Sequence, residues 1–390
     1  MKSLIYTGLM ILLWFANLFK GTGLDSVYHV TEWTRRIVIL LFLITVFMDY
    51  ARRHTLLIDR EKLFVYGGMI IVFIVSPLIH GYGSTGIDYL WVFCLVYLLS
   101  KLKIDDRTMI WTGLIYGVLG FSVLFIFDYG TALKGWNTNS IAMIGMQSFL
   151  VMIVPLFKKQ RMINKVFMLI AAGIFSILIS PTDSRSSVLF AFVGTLFAIG
   201  LVPRGIVSKN YLRTFICLML PLIIAVIVIA VSNSTIMEGL NTWSYQQFRK
   251  PIFNGRDDLW KRGFELLWQN PFIGTGNLNA ANWHNSAVAC LVATGILGFA
   301  FWIMAFGRIM NRARSYLNDY IVVGCFVSFI VLYVQQSVEL GFISDNPTLF
   351  GYILLGLMLG RVRFLEESEC YGAYKNQYNC ADIQCRTTYL

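Results

Sequence analysis

The chain of 390 residues lacks the short motifs that mark many soluble enzymes. It has no Walker sequence for nucleotide phosphates and no glycine-rich dinucleotide fingerprint. No pair of acidic residues falls in the middle of an apolar segment, as a proton-coupled transporter would need. The seven cysteines have no zinc-site spacing, and four of them fall in apolar runs, where they pack as small hydrophobic side chains. Nucleotide-dependent, zinc-dependent and proton-coupled functions are therefore not expected.

Hydrophobic residues are abundant instead. They make up 57% of the chain, which includes 30 phenylalanines and 19 tyrosines, whereas soluble domains average about 45–50% apolar residues. Twelve apolar runs have roughly the 17–25 residues that cross a bilayer. These runs lie at residues 3–19, 36–50, 62–80, 87–100, 108–128, 139–157, 164–180, 185–202, 211–232, 284–307, 319–338 and 348–362. The sequence therefore predicts an all-α, polytopic membrane protein with about twelve transmembrane helices.

The basic residues indicate how these helices are oriented, because short cytoplasmic loops carry the excess of lysine and arginine. When the first residues are placed in the cytoplasm, 22 of the 32 basic residues fall in the predicted inner segments. Both termini are therefore predicted to be cytoplasmic. The net charge of +11 then faces anionic lipid headgroups, so no nucleic-acid partner is expected.

One long polar segment, residues 233–283, is predicted to be an extracytoplasmic loop within a single transmembrane domain of residues 1–365. Its many aromatic residues argue against disorder. Within it, residues 255–268 are predicted to form an amphipathic helix that lies in the membrane interface with its aromatic face, including Trp260, toward the lipid. Residues 366–390 have no helical periodicity and are predicted to be a disordered cytoplasmic tail.

Two arginines in the outward-facing segments are candidates for binding a charged substrate. Arg185 follows a tight turn at the start of the eighth predicted helix, where a buried charge is costly and indicates a functional residue. The alternatives are that its side chain extends to the lipid headgroups or pairs with Asp183. Arg256 opens the amphipathic helix, and its planar guanidinium suits two oxygens of a pyrophosphate. The alternative for Arg256 is an ion pair with Asp257 or another nearby carboxylate.

His284 lies where the long loop re-enters the membrane, in the predicted first turn of the tenth helix. The positive end of the helix dipole and nearby arginines disfavour an imidazolium there, and a neutral histidine can act as a general base. The alternative is a structural role, which is more common for a lone histidine. Gly295 and Gly298 follow in the same helix and are predicted to allow close packing of a neighbouring helix, which would fix the angle of His284.

The remaining polar residues of the outward-facing side suggest no metal chemistry. No outward-facing loop holds an Asp-x-Asp or Glu-x-Asp pair suited to a divalent metal. Near the outer end of the eleventh helix, Gln335, Gln336 and Glu339 are predicted to form hydrogen bonds between helices. Neither a metal nor a cofactor is therefore expected.

The loop and helix residues also form one extended pattern. His284-Asn285 is followed by nine residues and then by Gly295-Ile296-Leu297-Gly298. The loop before this motif contains Arg256, Trp260, Pro271, Gly274 and Gly276, and Ser184-Arg185 stands at an earlier helix start. Because of this pattern, residues 254–301 resemble the conserved region of the O-antigen ligase and polymerase superfamily. The twelve-helix topology extends the similarity over most of the chain.

The resemblance implies a metal-independent, inverting glycosyltransferase whose donor is a glycan linked to undecaprenyl pyrophosphate. Arg185 and Arg256 would hold the pyrophosphate, His284 would take the proton of the acceptor hydroxyl, and Asn285, with the other motif residues, would support the site. It also implies a bacterial plasma membrane location, an extracytoplasmic active site, and a flippase and a chain-length regulator as partners. A polymerase of capsule, exopolysaccharide or O-antigen repeat units is favoured, because a short tail and one dominant loop are common among such polymerases.

Two other functions are alternatives. An O-antigen ligase would transfer the same glycan to lipid A core, so a host without lipid A core would exclude it. A polysaccharide flippase or other transporter would show repeat symmetry and charges buried in the middle of the membrane, and the sequence has neither.

Overall fold

The computed structural model describes residues 2–21, 29–53, 61, 63–83, 86–129, 138–158, 162–182, 184–249, 251–278, 283–339, 341–342 and 348–377. These residues are almost entirely helical, and no β-strand occurs among them. The prediction of an all-α protein is confirmed for this part of the chain.

Eight helices make up the first half of the described chain. They are α1 (Lys2–Gly21), α2 (Val30–Arg53), α3 (Gly68–Ile79), α4 (Ile87–Ser100), α5 (Asp106–Tyr129), α6 (Thr138–Met152), α7 (Met162–Ile179) and α8 (Arg185–Ala198). A single π-helical turn precedes α3, and short 3₁₀ turns follow α6 and α7.

Seven helices make up the second half. They are α9 (Gly205–Ser208), α10 (Tyr211–Val231), α11 (Thr235–Phe248), α12 (Arg256–Gln269), α13 (Ser286–Ala313), α14 (Tyr320–Gln335) and α15 (Leu349–Gln377). The helices α11 and α12 lie within the predicted extracytoplasmic loop, and only α12 was expected there.

Each of the twelve predicted apolar runs overlaps one of these helices. Among the described residues, five helical segments are long and apolar enough to cross a membrane: Lys2–Phe19, Asp106–Ile126, Met162–Thr182, Tyr211–Val231 and Ser286–Tyr316. Four shorter apolar helical segments accompany them: Leu63–Ile79, Tyr89–Ser100, Arg185–Ala198 and Tyr320–Gln335. The chain is a helical membrane protein, while the count of twelve spans stays a prediction.

The helix α14 forms the centre of the bundle. Its residues from Ile321 to Tyr333 are buried on every side, as expected for a helix that is apolar all round. It packs on α8, α10 and α15. At its outer end, Tyr333 and Phe342 join an aromatic cluster with Trp302, Phe306 and Tyr352, with ring centroids 5.0 to 6.4 Å apart. Outer helices such as α2 and α7 instead expose many large apolar side chains, which suits contact with lipid.

The other end of α14 is held by a buried arginine. Arg361 of α15 is only 5% exposed and pairs with Asp319, the N-cap of α14, at 2.7 Å and with Asp106 at 2.8 Å. A guanidinium at this depth needs more than one partner to offset its lost hydration. This cluster therefore joins α5, α14 and α15 at the end of the bundle predicted to face the cytoplasm.

The predicted disordered tail needs one correction. The helix α15 continues through residues 366–377, where Arg312 pairs with Glu366 at 3.1 Å and Arg363 pairs with Glu367 at 3.1 Å. These ion pairs supply support that hydrophobic periodicity does not reveal. Residues 378–390 lie outside the described part of the chain.

Candidate active site

Of the two loop helices, α12 packs on α10 and α13. Ser234 caps α11, with its hydroxyl accepting from the Met237 amide at 3.3 Å. Gly255 has a φ of +76° and turns the chain into α12, whose first residue is Arg256. The helix ends at Gln269 with Asn270 as its C-cap, which confirms the predicted helix within about a residue.

The apolar face of α12 packs on protein and not toward lipid. Trp260 is 0% exposed, and Gly263 and Leu267 are also buried, with α10 and α13 as the neighbouring helices. The prediction that Trp260 faces the membrane is therefore wrong, since periodicity shows that a helix has an apolar face but not what covers it. At the far end of α12, Trp268 is 78% exposed.

Trp260 fixes the chain next to His284. Its indole Nε1 donates to the carbonyl oxygen of Trp283 at 2.6 Å. His284 follows in the left-handed region, with a φ of +46°, which is uncommon for a residue with a side chain. It precedes the N-cap of α13, so the prediction that it lies in the first helical turn is wrong by two residues. The imidazole Nδ1 lies 3.7 Å from a carboxylate oxygen of Glu339, in the segment after α14.

Asn285 ties three parts of the structure together. Its side-chain Oδ1 accepts from the amides of Ala287 and Val288 and so caps α13. Its Nδ2 donates to the carbonyl oxygens of Pro221 in α10 at 2.8 Å and of Ser337 at 3.1 Å. All four hydrogen-bonding positions of this buried amide are used, so His284 stands on a fixed support.

Ser286 links α13 to the same segment beyond α14. Its amide donates to the Gln336 carbonyl oxygen at 3.0 Å, and its hydroxyl accepts from the Phe342 amide at 3.2 Å. Its hydroxyl also donates to the Gln336 side chain at 3.3 Å, which confirms the predicted helix-to-helix hydrogen bonding of that glutamine. Gln336 and Phe342 are therefore both hydrogen-bonded to Ser286, two residues after His284.

The helix α13 is interrupted at Gly295, and the loop after α12 fills the interruption. Gly295 has a φ of +66° and a ψ of −173°, outside any helical conformation. The carbonyls of Val292 and Ala293 accept from the amides of Thr275 and Gly276, each at 2.9 Å. In return, the amides of Ile296 and Leu297 donate to the carbonyls of Pro271 and Phe272 at 2.9 and 3.2 Å. Irregular backbone is tolerated in a membrane protein only where its polar groups are paired in this way.

Three motif glycines, Gly274, Gly276 and Gly295, lie in this docked region. Gly274 and Gly276 both have a φ of +70°. A Cβ on Gly274 would meet the backbone of Ala293 and Gly295, and one on Gly295 would meet the backbone of Phe272 and Ile273. Gly295 therefore serves the loop and not a neighbouring helix, which corrects the prediction. Gly298 does meet a neighbouring helix: a Cβ there would lie 3.1 Å from Val72 of α3 and closer to Thr294 of its own helix.

Replacing Gly295 with alanine is expected to destabilise the protein by about 2 kcal/mol or more, because a left-handed conformation costs an alanine roughly 1–2 kcal/mol and the methyl group would overlap the loop backbone. The thermal unfolding midpoint of the purified protein in detergent measures the effect. The matched control is Gly173→Ala in α7, where no atom lies within 4 Å of an added Cβ. Equal midpoints for the two variants would show that the docked loop contributes nothing to stability.

Glu339 is the centre of the candidate site. Its Oε1 lies 3.5 Å from Nη2 of Arg256 and accepts from the Ser186 hydroxyl at 3.2 Å. Its Oε2 lies 3.7 Å from Nδ1 of His284. The carboxylate side chain is only 10% exposed, that of Arg256 is 20% and that of His284 is 30% exposed. One carboxylate therefore joins α8, the start of α12 and the turn before α13.

The electrostatics of the site also involve Arg185. Burial lowers the pKa of the Arg256 guanidinium, Glu339 opposes that decrease, and the positive charge of Arg185 adds to it. Arg185 is thus within electrostatic range of Arg256, and its neighbour Ser186 contacts Glu339 directly. The guanidinium groups of Arg185 and Arg256 therefore lie close enough to influence each other, and two neighbouring cations can both act on an anionic ligand.

The structure brings together three residues that are far apart in sequence and adds one that sequence analysis assigned elsewhere. Arg185, Arg256 and His284 meet at one end of the bundle. Glu339 was expected only to join helices, but an acidic residue at the end of a fully apolar helix is itself a signal of a functional site. The alternative pairing of Arg185 with Asp183 falls outside the described residues.

Within the described ranges, no three His, Cys, Asp or Glu side chains lie where they could hold a metal ion. The expectation that the chemistry needs no metal stays a prediction.

A comparison with known protein families matches the part of the chain that holds most of the candidate site. Residues 170–303 match a family model described as O-antigen ligase. The match contains Arg185, Arg256 and His284, and it supports the predicted resemblance to the O-antigen ligase and polymerase superfamily. Glu339 lies beyond it. No curated protein matched the chain.

Proposed function

We propose that this protein, whose residues 170–303 match the O-antigen ligase family, is a membrane glycosyltransferase that polymerises lipid-linked polysaccharide repeat units. The donor would be a glycan on undecaprenyl pyrophosphate, and the acceptor a sugar hydroxyl of another lipid-linked unit. The observation that carries this proposal is the meeting of Arg256 and His284 at Glu339, with Arg185 in electrostatic range.

The two arginines would hold the donor pyrophosphate. A guanidinium stays charged wherever it sits and offers a planar fork to two phosphate oxygens. When the bond between the anomeric carbon and the phosphate oxygen breaks, the leaving pyrophosphate gains negative charge. Fixed cations that meet this developing charge are usually the largest source of rate acceleration at such a site.

His284 would act as the base. Its Nδ1 is buried, so Nε2 is the ring nitrogen that a substrate can reach. Nε2 would take the proton of the acceptor hydroxyl as its oxygen attacks the anomeric carbon from the side opposite the leaving group. This attack would invert the anomeric configuration, and neither arginine nor histidine needs a metal to perform these steps.

The membrane setting suits such a donor. The site would face the extracytoplasmic side of the bacterial plasma membrane, and the distribution of basic residues supports this orientation. The polyprenyl chain would remain among the lipids while its pyrophosphate reached the site. A flippase would have to deliver the donor to that side, and a chain-length regulator would act on the product.

The ligase alternative is kept because the matching family model carries that description. A strain lacking the gene separates the two functions. If the protein is a polymerase, single lipid-linked repeats accumulate, and extracted lipid-linked glycans show one repeat by mass spectrometry. Long chains that remain on the lipid would identify a ligase, and an unchanged glycan pool, or donor trapped on the cytoplasmic side as for a flippase, would contradict both.

A further inference from the structure

We infer that Glu339 is a positioning residue for His284 and that the donor's pyrophosphate controls it by competing for Arg256. This inference rests on the proposed function and deepens it. It assigns a role to a residue that lies outside the family-matched region.

The first step concerns the contact between Glu339 and the imidazole. Nδ1 of His284 is buried, has no hydrogen-bond partner within the described residues, and lies 3.7 Å from Oε2 of Glu339. A carboxylate that accepts a hydrogen bond from Nδ1–H keeps the proton there and leaves Nε2 as the acceptor of a proton. It also stabilises the imidazolium that forms when Nε2 takes the acceptor's proton. Among the described residues, the Glu339 carboxylate lies where it can hold this proton on Nδ1 and stabilise the imidazolium.

The second step concerns why the two groups are not closer. The other oxygen of the same carboxylate is shared between the Ser186 hydroxyl at 3.2 Å and Arg256 at 3.5 Å. These two contacts draw Glu339 toward α8 and α12 and away from His284. The Glu339 carboxylate thus contacts two groups at once: Arg256, which is expected to bind the donor, and His284, which is expected to act as the base.

The third step follows from competition. A pyrophosphate offers Arg256 several charged oxygens and allows a bidentate contact, whereas Glu339 offers it one shared oxygen at 3.5 Å. Donor binding would therefore take Arg256 from Glu339 and free the carboxylate to close the short remaining distance to Nδ1. The base would be oriented only when the donor is in place, so a proton would not be taken from an acceptor that has no donor to attack.

The transfer step then balances without another reactant. The acceptor oxygen forms a bond to the anomeric carbon, and its proton passes to Nε2 of His284. The bond between that carbon and the phosphate oxygen breaks, and its electron pair leaves with the polyprenyl pyrophosphate. Nδ1–H stays on the imidazolium, paired with Glu339.

Replacing Glu339 with glutamine tests both parts of the inference, because glutamine keeps the shape and an acceptor for Ser186 but removes the charge. The enzyme is purified in detergent and supplied with lipid-linked oligosaccharide extracted from the deletion strain. We expect kcat to fall about 10- to 100-fold, as for loss of a partner that orients a histidine. We expect KM for the donor to fall about threefold to tenfold, because the competing negative charge beside Arg256 is gone.

A binding measurement accompanies the kinetics. Inorganic pyrophosphate is titrated against the thermal unfolding midpoint, and Glu339→Gln should reach half of its maximal stabilisation at a lower pyrophosphate concentration than the wild type. Glu339→Asp keeps the charge but shortens the side chain, so its pyrophosphate response should resemble the wild type while kcat still falls. Glu265→Gln, an exposed carboxylate on α12, is the matched control and should change neither quantity.

The outcomes separate the inference from the proposed function. An unchanged kcat in Glu339→Gln, or a KM and pyrophosphate midpoint that rise together, would overturn the positioning role, since a merely structural residue loosens the site. If Glu339→Gln does not fold, Glu339→Asp with wild-type kcat would overturn it instead. If the wild type itself neither extends the extracted glycan nor responds to pyrophosphate, the proposed function fails.

Discussion

Replacing His284 with alanine is expected to abolish chain extension while single lipid-linked repeats accumulate and the protein still inserts in the membrane. A positioned general base contributes roughly 10²- to 10⁴-fold to a rate, and no other described histidine lies beside Arg256 and Glu339. The Asn285 cap and the Trp260 contact with the Trp283 backbone do not depend on the imidazole, so the fold should be retained. Gel analysis of the polymer and mass spectrometry of the lipid-linked pool measure the result.

His29 provides a matched control for this variant. It also lies near a carboxylate, with Nδ1 4.0 Å from Glu32, but both side chains are well exposed and on another helix end. His29→Ala should leave polymer length unchanged. Polymer of wild-type length from His284→Ala would contradict the assignment of His284 as the base, whatever the behaviour of His29→Ala.

Replacing Arg256 with lysine is expected to be nearly as damaging as replacing it with alanine. Losing one fixed group that stabilises developing charge costs about 10²- to 10³-fold in rate. A lysine ammonium is a point charge on a flexible chain, so it cannot hold two phosphate oxygens in the plane of a guanidinium. In this site it would also remain close to Glu339, which is mostly buried and would keep it as a partner.

Arg262 is the matched control for Arg256, because it lies on the exposed face of the same helix. Arg262→Lys should extend glycan at the wild-type rate in the purified assay, and Arg256→Lys should not. Full activity of Arg256→Lys would mean that Arg256 supplies charge alone, and that the bidentate contact with pyrophosphate does not form.

Much of the helical framework follows from sequence, because the length and polarity of an apolar run are local properties. The start of α8 at Arg185 and the bounds of α12, to within about a residue, were both predicted from such local signals. The motif residues also indicated that Arg185, Arg256 and His284 act in one region, and the structure places them near one another.

The contacts that cross between elements were not predictable in the same way. Hydrophobic periodicity gave α12 an apolar face but assigned it to lipid, whereas the covering surface is protein. Gly295 was expected to admit a neighbouring helix, yet it admits the backbone of a loop that precedes it in sequence. Glu339 does accept the expected hydrogen bond from another helix, at Ser186 of α8. Its contacts with Arg256 and His284 were not predicted, because no spacing rule joins such distant positions.

The outer part of α13 ends at Gly295, and the hydrogen bonds of its backbone there are made with residues 271–276, which are synthesised earlier. Until residues 271–276 dock, two carbonyls and two amides stay unpaired among apolar side chains, and each such group costs several kcal/mol in hydrocarbon. Docking of residues 271–276 therefore supplies the hydrogen-bond partners that this half-helix needs in order to lie among apolar side chains.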